Sequence, residues 1–264
     1  MTSDKLYNDP ELVEFYDIEN GWTADSEYLK TMAASRTSIL DLGCGTGLLA
    51  AAIAREGSKR VVGVDPAAAM LDIARQRPGG DRVRWVEGDG RTVRLGETFD
   101  LVLLSGHAFQ VFLTRDDQLA AMKTIAAHLS PQGHFIFDSR NPRVEEWKEW
   151  TPALSERVIV HPELGDVLAW NDVRHDPDTG VVEYDTFYRI AAGGRTFAAQ
   201  SKIAFPSHED LVSMMNEAGL VVEQWLGGWD GRRFDASASE IIPIGRLARP
   251  AVQSNRAQSM TSRT

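Results

Sequence analysis

The stretch that most constrains the fold of this chain is ILDLGCGTG, at residues 39–47. Its apolar run contains an acid, Asp41, and leads at once into a loop in which every second residue is glycine. An alanine- and leucine-rich segment with helical spacing follows at 48–55. Glycines at such a turn permit positive φ and let the backbone approach a ligand that a Cβ would block, and the next helix begins with unpaired amides. The stretch therefore predicts a strand, a ligand-binding turn and a helix.

The spacing of the glycines separates the cofactor classes that use this architecture. A dinucleotide-binding loop, G-x-G-x-x-G, would have its third glycine where this chain has Leu48, so that version fits poorly. A P-loop is excluded because no Gly-Lys-Ser/Thr follows. What remains, D-x-G-x-G-x-G from Asp41 to Gly47, resembles motif I of the class I S-adenosylmethionine (SAM) dependent methyltransferases. In that family the loop wraps the amino-acid half of a cofactor that has no phosphates.

Two further motifs follow in the family's order. A β-branched run ends at Asp65-Pro66, about twenty residues after the glycine loop, where NAD and SAM folds alike place the carboxylate for the ribose hydroxyls. The turn Gly88-Asp89-Gly90 resembles the acidic loop with which the family binds the adenine amino group. The resemblance covers residues 36–140 closely. It implies SAM as cofactor, S-adenosylhomocysteine as product, and a cofactor site formed by Asp41, Gly43, Gly45, Gly47, Asp65, Pro66, Asp89, Gly90 and Ser105.

Alternating strands and helices predict an α/β fold of the doubly wound, Rossmann-like class. The resemblance implies a seven-stranded sheet, mostly parallel, whose last strand is antiparallel. In such sheets ligands bind at the carboxyl ends of the strands, and the motifs above stand at such ends. Strands are predicted at 37–42, 60–64, 82–86, 99–104, 134–138, 220–226 and 237–247.

A different pattern occupies residues 145–205, where helical spacing gives way to alternating runs separated by turn signals. The runs 167–174, 181–190 and 195–205 predict an antiparallel β insertion after strand 5, over the substrate site. It resembles the insertion of glycine/sarcosine and aminosugar N-methyltransferases. A dimerisation surface is the alternative role, and the two roles are compatible, so a homodimer stays open.

The N-terminal segment is rich in aromatic residues, and in small-molecule members of the family such a segment folds over the cofactor as a lid. Tyr16, in a Phe-Tyr-Asp run, matches similar sugar and amino-acid N-methyltransferases in position and is assigned a catalytic role, while Tyr28 is a substrate-binding candidate. Simple packing on the sheet is the alternative for each. The predicted organisation is a helical lid at 1–35, a SAM-binding core at 36–144 and 206–249, the β insertion at 145–205 and a disordered polar tail at 250–264.

His107 is the histidine that most constrains the chemistry. It follows the fourth strand in GHAFQ, at 106–110, where similar enzymes often have G-N-S-F-x-H, so the family's asparagine position holds His107 and its histidine position holds Gln110. A histidine near its ordinary pKa of about 6.5 can accept a proton from an amine or hydroxyl, which makes His107 the candidate base and Gln110 a substrate-binding candidate. Arg140 could bind a substrate carboxylate or form a structural ion pair. Surface positions are predicted for His128, His134, His161, His175 and His208.

Composition narrows the partners. The net charge of −10 argues against nucleic acid, which is bound through lysine and arginine clusters. No apolar run approaches the roughly eighteen residues of a membrane span, and the N-terminus lacks the apolar core of a signal peptide. The single cysteine, Cys44, suits a reducing compartment, so a cytoplasmic location is expected. No cluster of residues has metal-ligand spacing, so no metal is expected.

The sequence therefore predicts SAM-dependent transfer of a methyl group to a nitrogen or oxygen of a small molecule. The methyl on the sulfonium is already activated, so the protein's main task is to align the acceptor and exclude water. One alternative is a SAM-binding sensor or scaffold without turnover. Another is an NAD-dependent oxidoreductase, which Leu48 and the absence of a Tyr-x-x-x-Lys pair disfavour.

Overall fold

The computed structural model describes residues 4–248. The helices are α1 (Lys5–Asn8), α2 (Pro10–Glu19), α3 (Ala24–Ala33), α4 (Leu48–Ala54), α5 (Ala68–Gln76), α6 (Arg115–His128), α7 (Pro152–Ser155) and α8 (His208–Glu217). The strands are β1 (Ser38–Leu42), β2 (Arg60–Asp65), β3 (Val83–Glu87), β4 (Phe99–Leu104), β5 (Leu129–Phe137), β6 (Ser139–Arg140), β7 (Arg157–His161), β8 (Gly165–His175), β9 (Val181–Ile190), β10 (Thr196–Ala204), β11 (Leu220–Leu226) and β12 (Glu240–Leu247). The predicted tail at 250–264 lies outside the described residues.

The main sheet has the strand order β11-β12-β5-β4-β1-β2-β3, and the two-residue β6 pairs with β12 beside it. Strands β1 to β5 run parallel, whereas β12 is antiparallel to both of its neighbours, β5 and β11. The predicted fold class is therefore confirmed: seven strands form the path, mostly parallel, and the last is antiparallel. The parallel order places the carboxyl ends of five strands at one edge.

Helices cover both faces of this sheet because the side chains of each strand alternate between them. On β1, Leu40 and Leu42 belong to the core cluster that includes α6 and α8, and Ile39 belongs to the cluster that includes α3 and α4. Each of the three side chains is fully buried. This burial on both faces explains why the central strands read as continuous apolar runs rather than alternating ones.

A second sheet, of order β10-β9-β8-β7, is antiparallel throughout. The predicted β insertion had three strands, and the structure adds a fourth, β7. That strand was missed because its valines, Val158 and Val160, face solvent with 64% and 69% exposure, so its apolar residues do not mark a buried face. The inner face of the sheet packs on α2, where Phe15 stacks on Tyr188 with 4.3 Å between ring centroids.

Strand β5 begins earlier than predicted. Leu129 pairs with Phe99 and His134 pairs with Leu101, so the residues between them form an irregular bulge inside the strand. The turn signal at 130–133 was correct, but it marks that bulge instead of the start of the strand. A Cβ at Gly133 would lie 2.6 Å from the Phe99 carbonyl oxygen, which explains the glycine.

Two histidines predicted at the surface are buried. His128 is 1% exposed, and its Nε2 accepts the Leu95 backbone N–H at 3.0 Å. His161 is 5% exposed and packs on the Phe15 ring at 5.1 Å. Both are core residues with satisfied partners, which their positions at element ends concealed. Within residues 4–248, none of the helices is long and apolar enough to cross a membrane.

Candidate active site

The glycine loop between β1 and α4 has the backbone geometry that only glycine adopts readily. Gly43, Gly45 and Gly47 have φ values of 79°, 52° and 73°. A Cβ on Gly47 would lie 2.4 Å from the Trp85 ring, and a Cβ on Gly43 would lie 3.0 Å from the Ala108 side chain. The loop is therefore a close-packed turn that requires glycine at these positions, and its contact with the amino-acid half of SAM stays a prediction.

Asp65, at the carboxyl end of β2, is tied to this loop. One carboxylate oxygen accepts the Gly45 N–H at 2.8 Å and the other accepts the Ala67 N–H at 2.9 Å. Burial raises the pKa of Asp65, and these two hydrogen bonds oppose the rise. Each oxygen keeps a further lone pair, so the predicted contacts with two ribose hydroxyls are available. Pro66 follows directly, two residues before α5 begins at Ala68.

Asp41 is 2% exposed, next to the loop. Burial, together with the neighbouring charge of Asp65, raises the pKa of Asp41 to about 7. A buried carboxylate of this kind is stabilised by a cation that binds beside it. The predicted partner, the cofactor's amino group, would supply that charge.

The predicted adenine loop contains an ion pair that the sequence did not reveal. Asp89 accepts from Arg91 Nε at 2.9 Å, and Arg91 also bonds Asp117 at 2.7 Å. The hydrogen bonds from Arg91 lower the pKa of Asp89. A direct contact with adenine, which stays a prediction, would have to share this carboxylate. Gly90 keeps the loop close to the core, since its Cβ would lie 3.2 Å from the Phe112 ring.

The N-terminal helix α2 lies over the glycine loop. The ring of Tyr16 is 3.7 Å from the position of a Cβ on Gly45. Asp17 accepts the Thr46 hydroxyl at 2.6 Å, and it also forms an ion pair with Arg77. This arrangement places Tyr16, a predicted catalytic residue, against the glycine loop.

Tyr16 belongs to a group of tyrosines between α2 and the second sheet. Its ring meets that of Tyr7 edge-on at 6.2 Å, and Tyr7 is hydrogen-bonded to Tyr184 of β9. Burial raises the pKa of all three hydroxyls, which keeps them neutral. Sequence reasoning missed Tyr184 because its role depends on how the second sheet packs. Tyr184 also packs on Trp150 at 5.5 Å.

His107 lies between two carboxylates. Its Nε2 is 3.1 Å and 3.2 Å from the two oxygens of Glu240, and 3.5 Å from Oδ2 of Asp138. Its backbone N–H donates to the Asp138 carboxylate at 3.1 Å, with a positive φ of 59°. Burial alone would lower the pKa of His107, but the charges of Asp138 and Glu240 outweigh it, so this pKa is raised. Burial raises the pKa of Asp138 to about 6.

These three residues also form a group whose ligand atoms lie within 4.8 Å of one another, as a metal site requires. Spacing could not reveal the group, because Glu240 lies 133 residues after His107. Arg140 is the register partner of Glu240, and its charge acts on both His107 and Asp138. This positive charge disfavours a divalent cation, and it also opposes the rise in the pKa of His107 that the two carboxylates cause.

The remaining predicted residues lie at the same edge with different surroundings. Gln110 is fully buried; it donates to the Ala204 carbonyl at 2.9 Å and accepts from Arg140 Nη1 at 3.0 Å. Arg140 also pairs with Glu146 at 3.1 Å, the structural ion pair that was the alternative for this residue. Gln110 is therefore placed to hold Arg140, and a direct contact of either with substrate stays a prediction.

Two predicted residues are placed further along this edge. Tyr28 packs edge-on against Trp229 at 5.7 Å, beside the loop that follows β11. Ser105 directly follows β4, and its carbonyl accepts the Ala108 N–H at 3.3 Å. Ala108 lies against the glycine loop, so Ser105 is near the predicted cofactor site.

Comparison with known proteins now adds to this geometry. A family model described as a methyltransferase domain matches residues 39–133. The chain is 32% identical to the cypemycin N-terminal methyltransferase of Streptomyces sp over 248 residues, 92% of this chain and 98% of that one. It is 26% identical to the dTDP-3-amino-3,4,6-trideoxy-alpha-D-glucopyranose N,N-dimethyltransferase of Streptomyces venezuelae, over 80% and 88% of the two chains.

Solved structures share the fold. The CcbJ methyltransferase of Streptomyces caelestis superposes with a TM-score of 0.72 at 24% identity, covering 89% of this chain and 96% of that one. Streptomyces venezuelae DesVI gives a TM-score of 0.69 at 22% identity, over 89% and 95% of the two chains. On the strength of the full-length relative and the glycine-loop motif, the chain belongs to the class I SAM-dependent methyltransferases.

Proposed function

We propose that this methyltransferase acts on the amine nitrogen of a small molecule or of a peptide N-terminus. The observation that carries the proposal is the match along nearly the whole of an enzyme named for N-terminal methylation, which covers 92% of this chain. The aminosugar dimethyltransferase matches over most of its length as well. Both names describe transfer to an amine, which favours nitrogen over oxygen.

The cofactor site follows from the loop geometry. Gly43, Gly45 and Gly47 form the cradle for the methionine part, Asp41 binds its ammonium group, and Asp65 binds the ribose. SAM supplies a methyl group already activated on its sulfonium. The protein's contribution is to hold the acceptor in line and to exclude water, and both effects depend on a closed site.

The acceptor side lies between α2 and the second sheet. Tyr7, Tyr16, Tyr184 and Trp150 supply aromatic faces, which attract an ammonium group through cation–π contacts. Arg140, whose guanidinium lies 5.1 Å from the Trp150 ring centre, stands beside them. An acceptor with both an amine and an acidic group suits this combination. In this proposal Tyr16 closes the pocket over the cofactor.

The composition supports two further parts of the proposal. The net charge of −10 favours a partner other than nucleic acid. The single cysteine favours a cytoplasmic location. The four-part division of the chain and a homodimer built through the second sheet stay proposals, and sedimentation at several protein concentrations tests the dimer.

The first experiment is isothermal titration with S-adenosylhomocysteine, with NAD titrated in parallel. Micromolar binding of the former and none of the latter is expected. Methyl transfer from labelled SAM is then measured with a panel of primary and secondary amines, using phenols and carboxylic acids as the control panel. Turnover of the control panel alone would refute the amine proposal, and SAM binding without any turnover would favour a sensor.

A further inference from the structure

We infer that Asp138, His107 and Glu240 form an acid–base cluster that takes the proton from the acceptor's ammonium group, with Glu240 acting as a positioning residue through His107. This inference rests on the proposed amine acceptor and deepens it. Amines of this class arrive protonated at neutral pH, and only the neutral amine has a lone pair for attack. A proton acceptor beside the cofactor loop would therefore increase the reactive fraction.

The hydrogen bonds decide which nitrogen of His107 can act. Carboxylates only accept hydrogen bonds, so the Nε2 that faces three carboxylate oxygens at 3.1 to 3.5 Å carries a hydrogen. Nδ1 is then the ring nitrogen that can take a proton. Asp138 holds the backbone of the same residue through its N–H at 3.1 Å. Glu240 and Asp138 thus fix both the tautomer and the direction of the ring.

The charges around the ring favour protonation of His107. The charged groups that act on it are Asp138 after β5, Arg140 on β6 and Glu240 on β12. Arg140 shares its charge with Glu146 through an ion pair at 3.1 Å. With His107 neutral, two carboxylates face one shared guanidinium, so an added proton reduces the net negative charge of the cluster.

The cluster is also placed for the reaction. His107 precedes Ala108, and a Cβ on Gly43 of the cofactor loop would lie 3.0 Å from the Ala108 side chain. The His107 side chain keeps 24% of its surface exposed. It is therefore held by carboxylates on one side and open on another, at the edge where the cofactor loop lies.

The proton and electron balance is simple. The N–H bond of the ammonium breaks, and its proton moves to Nδ1 of His107 while the electron pair stays on the amine nitrogen. That pair forms the bond to the methyl carbon, and the pair of the breaking carbon–sulfur bond stays on sulfur as the thioether. The product is a methylated ammonium, and the proton on His107 leaves to water. One proton is released in total for each transfer.

The test measures the ring of His107 and the rate together. The protein is labelled with ¹⁵N-histidine, saturated with S-adenosylhomocysteine and titrated by NMR, with His107→Gln used to assign the signal. Glu240→Gln is expected to lower the pKa of His107 by about 1, the usual effect of removing a facing charge. Glu240→Asp should restore most of it. The matched control is Glu223→Gln, which removes the partner of His134 at 3.3 Å and should leave the His107 signal unchanged.

The rate of amine methylation should fall at low pH, and in Glu240→Gln this acid limb should move to lower pH by the same amount as the NMR titration. The inference would be overturned, with the proposed function left in place, if amines are methylated but the acid limb of the pH–rate profile does not move in Glu240→Gln. An NMR titration of His107 that is the same in Glu240→Gln as in the wild type would overturn it equally. Absence of amine turnover in the wild type overturns the proposed function itself. Binding of Zn²⁺ or Mn²⁺ to the wild type, lost in His107→Gln, would make the cluster a metal site and also overturn the inference.

Discussion

The buried carboxyl of Asp41 makes the affinity for cofactor depend on pH in a direction that can be calculated. Its pKa is raised to about 7 by burial and by the charge of Asp65. If the ionised form binds the cofactor's ammonium, only the ionised fraction is competent, about one tenth at pH 6 and about nine tenths at pH 8. The affinity for S-adenosylhomocysteine should therefore rise about tenfold over this range, or about 1.4 kcal/mol.

Calorimetric titration at several pH values measures this change, and two controls identify its source. In Asp41→Asn the affinity should be weaker and almost independent of pH. With 5′-methylthioadenosine, which lacks the amino-acid group but keeps the ribose, the wild type should also show little pH dependence. A tenfold rise that persists with this ligand would assign the effect to Asp65, and a flat profile with S-adenosylhomocysteine would refute the assignment of Asp41.

The remaining predictions concern three variants, Asp41→Asn, Gly47→Ala and Asp17→Asn. The pKa of Asp41 in the folded protein lies above its ordinary value of 3.8, so the free energy of unfolding falls as the pH rises toward 7. Asp41→Asn removes this cost and should stabilise the apoprotein at pH 8 by at most about 4 kcal/mol, measured by urea unfolding. Gly47→Ala should cost about 3 kcal/mol, because its Cβ meets Trp85 at 2.4 Å and its φ is positive, whereas Gly57→Ala, with positive φ in open space, should cost about 1 kcal/mol. Asp17→Asn should speed release of S-adenosylhomocysteine roughly fivefold in stopped flow, because Asp17 ties α2 to the glycine loop through Thr46. Equal release rates for this variant and the exposed control Glu11→Gln would contradict that role of Asp17.

The cofactor loop could be predicted from sequence because its constraints are local. Glycine at three alternate positions between an apolar strand and a helix predicts a turn with positive φ values, and the structure has a positive φ at each of the three. The strand-end acids were predictable for a similar reason, since parallel strands place their carboxyl ends at one edge. The ion pair between Asp89 and Arg91 shows the limit of this reasoning, because a motif names a side chain without its neighbours.

The acid–base cluster could not be predicted, because tertiary pairing creates it. Glu240 reaches His107 only because β12 runs antiparallel beside β6 with Glu240 opposite Arg140. The register of strands so distant in sequence is fixed by packing of the whole core, and no local pattern encodes it. The position of Tyr184 could not be predicted for the same reason, since its hydrogen bond with Tyr7 depends on how the second sheet packs against the N-terminal helices.

Helix α2 connects the two sides of the site, and this connection has a consequence for the order of binding. Asp17 holds the glycine loop through Thr46, and two residues later Glu19 accepts from Arg157 at 2.6 Å and from the Tyr188 hydroxyl at 2.8 Å on the second sheet. Because one helix makes both sets of contacts, a movement of α2 away from the glycine loop would also break its contacts with the second sheet. In the proposed function the acceptor pocket is therefore complete only while α2 covers the glycine loop, which favours binding of SAM before the amine.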